Sequence, residues 1–94
     1  MGNGVPNQGP WQHRQPNGVV VGYCIIYHDQ MVTGNAHVHS PEVSPSDYAS
    51  LRAAAAQGQS AFDTALASSG WASFFTPYPG VDKVALRAGV LDLD

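Results

Sequence analysis

The sequence predicts an α/β fold with a small mixed β-sheet and one or two helices after the second strand, in the order β-β-α-β-β. Three observations support it: a β-branched and aromatic run over residues 19–28, an alanine-rich stretch over residues 48–57, and two later apolar segments, 71–76 and 81–91, separated by a turn. β-branched and aromatic residues favour strands, whereas alanine has the highest helix propensity. A chain of 94 residues has room for one such core.

The first strand is expected to follow a flexible leader over residues 1–18, which leaves residues 19–94 as a single small α/β domain. Residues 2–18 contain four glycines, three prolines, three asparagines and three glutamines, too polar a composition to offset the entropy of ordering. Trp11 is the exception and is expected to dock onto the domain. In the first strand, Gly22 indicates a bulge or a close backbone approach, and Cys24 is expected to be a buried thiol.

The second strand is predicted over residues 31–39, with a turn signal at Thr33-Gly34-Asn35, and helices follow it. Ser44 suits an N-cap, with proline at the first helical position and Asp47 in the first turn. Gly58 indicates the helix end, and Ser60 suggests a second cap for a helix to about residue 69. Two short helices and one helix kinked at Gly58 remain alternatives.

The last two strands are predicted over residues 71–76 and 81–91, the second because Val84 and Leu86 alternate with more polar residues. The aromatic residues between them are expected to belong to the core rather than to a substrate groove; they are Trp71, Phe74, Phe75 and Tyr78.

Composition argues against several classes of function. Four basic against seven acidic residues give a net charge of -3, so we expect neither nucleic-acid binding nor a membrane-binding basic patch. The first residues lack the apolar region of a signal peptide, and no run reaches the length of a membrane span. We therefore expect a soluble chain, and its localisation is otherwise unknown.

The segment around His37 and His39 suggests a metal site. In an extended segment, side chains two residues apart leave the same face, so the two imidazoles would project together. Asp47, at the start of the first helix, could supply a third ligand and leave the fourth position of a tetrahedral zinc ion to water. The sequence thus predicts a catalytic zinc site at His37, His39 and Asp47.

These residues resemble a known family. His37-Val38-His39-Ser40, followed by Ser44-Pro45-Ser46-Asp47, is similar to the motif of JAB/JAMM (MPN-type) zinc metallopeptidases, in particular their compact bacterial and phage branch. Thr76-Pro77 before the next strand repeats that family's order. The resemblance covers about residues 34–87 in layout, with six or seven matching positions, and implies a cytidine-deaminase-like fold.

The resemblance also implies roles for individual residues. His37, His39 and Asp47 would bind zinc, Ser44 would help to hold the oxyanion, and the substrate would be a peptide or isopeptide bond. The family's general base is a glutamate on an upstream strand, but Glu42 is this chain's one glutamate and lies between the ligands. Three alternatives follow: the part with that glutamate is missing from this chain, Glu42 or Asp29 replaces it, or metal binds without efficient catalysis.

A second hypothesis is a non-enzymatic binding or assembly module that keeps the fold with a structural metal or none. Ser44 with Asp47 is explained equally well as a capping box, and His37 with His39 as a surface pair. His13 and His28 are expected to be solvated or hydrogen-bonded. An exposed sheet edge would permit a homo-oligomer or strand addition by a partner. A fragment of a PHP-type phosphoesterase ranks last, because that fold needs many more ligands and no histidine follows His39.

Overall fold

The structure is a computed structural model that describes residues 9–93, so the first eight residues of the predicted leader and Asp94 lie outside it. It is a small α/β fold with two two-stranded antiparallel sheets and, within residues 9–93, four α-helices. The elements are, in order, β1 (Trp11–Arg14), β2 (Val20–Cys24), β3 (Ile26–Tyr27), α1 (Gln30–Thr33), β4 (Val38–His39), α2 (Pro45–Ala56), α3 (Gln59–Ala67), a 3-10 helix (Ala72–Phe75) and α4 (Lys83–Asp92). This order differs from the predicted β-β-α-β-β layout.

The first sheet pairs β1 with β2, so the predicted flexible leader contains a strand. Trp11 lies opposite Cys24, and the register shifts between His13 and Arg14. The strand forms despite its polar sequence because β2 pairs with its backbone, whereas side-chain burial is small. Trp11 lies on the domain through the pairing of β1 with β2, but it is 39% exposed and stays outside the core, where its ring stacks on that of His13 with 6.0 Å between the centroids.

Gly22 of β2 is a site of close approach, as the sequence suggested. A Cβ atom at this position would collide with the carboxylate of Glu42, whose side chain lies across the strand. Cys24, two residues later, is 2% exposed, which confirms the expected buried thiol.

The predicted second strand is largely replaced by a helical turn. Asp29 accepts a hydrogen bond from the backbone N–H of Met31 through its Oδ1 atom and so caps α1. Only Val38 and His39 pair with β3, where His39 lies opposite Ile26 and Val38 opposite Tyr27. The side-chain cap from Asp29 favours a helical turn over extension in this segment.

The two central helices form as the sequence predicts, as two helices rather than one. The hydroxyl of Ser44 accepts a hydrogen bond from the backbone N–H of Asp47, and Pro45 occupies the first position of α2. Gly58 separates the helices with a φ of 118°, a left-handed value that favours glycine. The predicted cap at Ser60 is wrong, because α3 begins after Gly58 without a side-chain cap.

The last two predicted strands are helical instead. Residues 71–76 contain a 3-10 helix, and residues 83–92 form α4, capped by the Asp82 side chain, which accepts from the N–H groups of Val84 and Ala85. Leu86 and Val90 are fully buried while Val84 is exposed. The spacing of four residues matches one helix face, and it outweighs the local alternation that suggested a strand.

The core lies where α2, α3 and α4 pack against β2 and against residues 71–78, which we call the aromatic segment. Its largest fully buried side chains include Trp71, Phe62, Ile25, Leu66, Leu86 and Val90. Phe74 is buried, and Phe75 and Tyr78 pack against the core, which confirms the expected role of the aromatic cluster. None of the helices in residues 9–93 combines the length and apolarity needed to cross a membrane.

Candidate functional site

His37 and His39 are exposed and flank Val38, which packs against the core. The register of β3 and β4, extended by one pair, sets His37 opposite His28. The rings of these two histidines are in contact, with 4.7 Å between their centroids and 32° between their planes. His28 also places Nε2 at 2.9 Å from the carbonyl oxygen of Gly34. The imidazole that contacts His37 therefore belongs to His28, the residue that follows β3.

Asp47 is exposed in the first turn of α2 and lines a cleft beside the end of α3. Across residues 9–93, no group of three or more histidine, cysteine, aspartate or glutamate residues is arranged to hold one metal ion. The structure thus does not bring His37, His39 and Asp47 together as such a group. The zinc site with these three ligands stays a prediction.

Ser44 and Glu42, the predicted catalytic residues, both have contacts within the fold. The Ser44 hydroxyl caps α2 and lies 3.1 Å from the hydroxyl of Ser46. Glu42 pairs with Nδ1 of His13, at 2.9 Å from Oε2 and 3.2 Å from Oε1. Their proposed roles in catalysis stay predictions, and the contacts explain both residues without a substrate.

His13 and His28 are hydrogen-bonded, as expected, but the sequence did not indicate their partners. His13 is separated from Glu42 by 29 positions in the sequence. The two side chains meet because that of Glu42 crosses β2 at Gly22, which has no side chain, and so reaches β1. His28 meets His37 because α1 reverses the chain between them. The local indication of that reversal was the turn signal at Thr33-Gly34-Asn35, where α1 ends.

A cleft of about 220 Å³ lies between the first turns of α2 and the C-terminal end of α3. Leu51, which is buried, and Ala65 supply apolar surface. The complete lining consists of Asp47, Ser50, Leu51, Ala65, Ser68, Ser69 and Gly70. The cleft thus combines one carboxylate and three hydroxyl groups with apolar surface.

The three hydroxyl groups in this cleft all donate their protons within the protein. Ser50 donates to the carbonyl of Ser46 at 3.4 Å. Ser68 makes a long contact of 3.5 Å with the carbonyl of Ala65, whereas Ser69 donates to Leu66 at 2.8 Å and also accepts the N–H of Trp71 at 3.1 Å. A hydroxyl has a single proton to donate, so what remains for a ligand is its acceptor capacity. The carboxylate of Asp47, when ionised, is also only an acceptor.

The buried titratable groups are poorly suited to nucleophilic chemistry. Burial, with a smaller effect from the charge of Glu42, raises the pKa of Cys24 to about 11. A thiol with that pKa is almost entirely protonated near neutral pH, and the thiolate is the reactive form. Burial also raises the pKa of the Tyr48 and Tyr27 hydroxyls above the usual value.

Comparisons with protein-family models, with curated proteins and with solved structures give no match for this chain. The function of this chain is therefore inferred from the chemistry of the cleft.

Proposed function

We propose that this chain is a non-enzymatic binding or assembly module, whose cleft between α2 and α3 holds a lysine or arginine side chain of a partner protein. The observation that supports this function most directly is the carboxylate of Asp47 in the lining, beside the hydroxyls of Ser50 and Ser68, which lie 3.4 and 3.5 Å from backbone carbonyls. A surface composed of acceptors fits a group that only donates. Ammonium and guanidinium groups are such donors.

The surrounding charges support a cationic ligand. The negative C-terminal end of α3 borders the cleft through Ala65, and the positive N-terminal end of α2 borders it through Asp47, so the two helix ends largely offset each other. The chain as a whole has a net charge of -3. The carboxylate of Asp47 and this net charge favour a basic partner over an acidic one.

The apolar surface in the cleft fits the stem of a long basic side chain. Lysine and arginine bury their methylene groups against apolar surface while the charged end reaches polar groups. Leu51 and Ala65 provide that surface, and Asp47 provides the charge. A partner protein with an exposed basic side chain on a loop or helix end would match this arrangement.

The test is a titration with capped single amino acids, observed by amide chemical shifts of the full chain. N-acetyl-arginine methylamide and its lysine analogue are expected to shift the amides of residues 47–51 and 65–70, with a Kd on the order of 1 mM. The citrulline analogue, which has arginine's shape without its charge, is the ligand control. No shift at the cleft with either basic probe would contradict the proposed function.

Asp47→Asn is the matching variant, because it removes the charge and keeps the side-chain volume. We expect it to weaken binding by about tenfold, or ~1.4 kcal/mol, as for loss of a charge-assisted hydrogen bond. Asp92→Asn, on an exposed part of α4, makes the same change in net charge and serves as the control. Equal weakening in both variants would show that the net charge of the chain, and not the carboxylate of Asp47, determines the affinity.

The JAB/JAMM-like zinc hydrolase, with its cytidine-deaminase-like layout, stays the alternative prediction. An isopeptide-linked substrate incubated with the chain and added zinc separates the two functions. If the chain turns over this substrate and both His37→Ala and His39→Ala abolish the turnover, the hydrolase is the correct function and the binding module is not. The binding module predicts no turnover above that of zinc alone.

A further inference from the structure

We propose that His28 and His37 form a two-histidine site for a divalent transition metal ion on the outer face of the β3–β4 ribbon. This site shares no residue with the cleft between α2 and α3, so it is independent of the function proposed above. It also differs from the zinc site expected from the sequence, because His28 takes the place of both His39 and Asp47 as the partner of His37.

The spacing of the two rings fits a shared ion. A zinc–nitrogen bond of about 2.0–2.1 Å sets the centre of each imidazole at roughly 3.2 Å from the metal, so two rings at about 90–110° have centroids about 4.5–5.2 Å apart. The observed separation between the His28 and His37 centroids is 4.7 Å. The paired strands support this separation, because His28 directly follows β3 and His37 directly precedes β4, next to the pair formed by Tyr27 and Val38.

The hydrogen bond of His28 prepares its ring for metal binding. Since the carbonyl oxygen of Gly34 can only accept, Nε2 of His28 must be the donor in their 2.9 Å contact. In the neutral ring, this leaves the lone pair on Nδ1, the atom that would bind the ion. Metal-binding histidines commonly donate their other ring N–H to a backbone carbonyl, which fixes the tautomer and orients the ring.

The site supplies two protein ligands and leaves the remaining positions to water. Over residues 9–93, no third histidine, cysteine, aspartate or glutamate completes a group around this pair. Neutral imidazoles suit copper, nickel and zinc, and copper(II) is expected to bind more tightly than zinc. His28 is half-buried and His37 exposed, so an ion can reach the pair from solvent.

The first experiment uses the unaltered chain and therefore does not depend on any variant folding. Copper(II) at substoichiometric amounts broadens amide signals near its binding site. We expect selective loss of the signals of residues 27–29 and 36–38, while those of residues 47–51 persist. Broadening centred on Asp47, on His13 or evenly across the chain would overturn the proposal.

The second experiment measures zinc affinity by calorimetry, and we expect one ion per chain. His28→Gln and His37→Gln should each weaken it by at least about tenfold. His13→Gln, His39→Gln and Asp47→Asn are the controls, each expected to stay within about twofold of the unaltered chain. Dependence on His39 or Asp47 equal to that on His28 would overturn the two-histidine assignment. So would equal affinity in all variants, in which case the ring contact would only stabilise the turn at Gly34.

Discussion

At the scale of single residues, the start of α2 shows how one pattern fits two functions. The spacing of Ser44 and Asp47 resembles a metallopeptidase motif, yet the Ser44 hydroxyl accepts the N–H of Asp47 as any helix cap does. A cap contributes to stability, whereas an oxyanion-binding hydroxyl contributes to turnover. Substitution of this serine can therefore separate the two roles.

Ser44→Ala is expected to lower the free energy of unfolding by about 1 kcal/mol, because the N–H of Asp47 loses its partner. Ser60→Ala is the matched control, since the side chain of Ser60 does not cap α3. It is expected to stay within about 0.5 kcal/mol of the unaltered chain. Urea unfolding measures both. An equal loss in the two variants would show that the cap at Ser44 adds nothing specific.

Cys24 leads to a prediction about reactivity. Because burial raises the pKa of Cys24 to about 11, the native chain should react with iodoacetamide at pH 8 far more slowly than the chain in urea. The rate in the native state should rise with pH up to about pH 11. Mass spectrometry of the alkylated fraction over time measures it. Equal rates with and without urea would contradict the burial of this thiol.

At the scale of elements, the parts that could be predicted have strong local signals. Ser44, Pro45 and the alanines that follow them specify α2 by capping and propensity, without help from the rest of the chain. β1 and α4 lack such clear signals. β1 forms through pairing with β2, and a polar sequence gives no local signal of such pairing. At the start of α4, residues near Val84 alternate in polarity as in a strand, so the helical spacing of Leu86 and Val90 is hard to recognise.

Only the part of the candidate site that lies within one strand could be predicted. The sequence indicates that His37 and His39 share a face, because that depends on strand geometry alone. The contact between His37 and His28 depends on the turn at α1 and on the resulting register, neither of which follows from residue spacing. The cleft at Asp47 depends on the packing of α2 against α3, and its serines have no distinctive pattern.

The contacts between α2 and α4 include two arginines that bind the end of the opposite helix. Arg87 of α4 donates from Nε to the carbonyl of Ala55 at 2.7 Å. Arg52 of α2 donates to the carbonyls of Leu91 and Leu93 at 3.1 and 3.2 Å. The carbonyls of Leu91 and Leu93 lie at the end of α4, and the carbonyl of Ala55, in the last turn of α2, also accepts the N–H of Gly58 at 3.2 Å. Each helix thus helps to complete the C-terminus of the other.

Arg87→Met should destabilise the chain more than Arg52→Met, because Arg87 is half-buried and Arg52 exposed. We expect a loss of about 1–2 kcal/mol for the first and less than about 0.5 kcal/mol for the second, since methionine keeps the apolar stem and removes the donors. Both variants make the same change in charge. Thermal and urea unfolding measure the difference, and a larger loss for Arg52→Met would contradict the assignment.

At the scale of the whole molecule, the buried aromatic residues connect the sheet region to the helices. Trp71 donates from Nε1 to the carbonyl of Tyr23 at 3.2 Å, and the ring of Tyr23 stacks on Tyr48 with 3.7 Å between centroids. The Tyr48 hydroxyl donates to the carbonyl of Val90 at 3.1 Å. This set of contacts joins β2, α2, the aromatic segment and α4, so ionisation of Tyr48 would affect the entire fold.

Alkaline pH is therefore expected to destabilise the molecule. Burial raises the pKa of Tyr48 above its usual value of 10.0, so above about pH 10 the unfolded chain loses a proton that the folded chain keeps. The unfolded state then binds fewer protons, and the free energy of unfolding falls as pH rises, by up to about 1.4 kcal/mol per pH unit for this group. Cys24 adds a similar loss from about pH 9 to 11. Urea unfolding at pH 7 to 11.5 measures this decline.

Tyr48→Phe separates the contribution of this tyrosine from the rest. At pH 7 the variant should be about 1 kcal/mol less stable, because the carbonyl of Val90 loses its buried donor. Above pH 10 its stability should decline less steeply than that of the unaltered chain, by up to about 1.4 kcal/mol per pH unit, because phenylalanine has no proton to lose. The two curves should converge as pH rises. Parallel curves would contradict the raised pKa of Tyr48 and assign the alkaline loss to other groups.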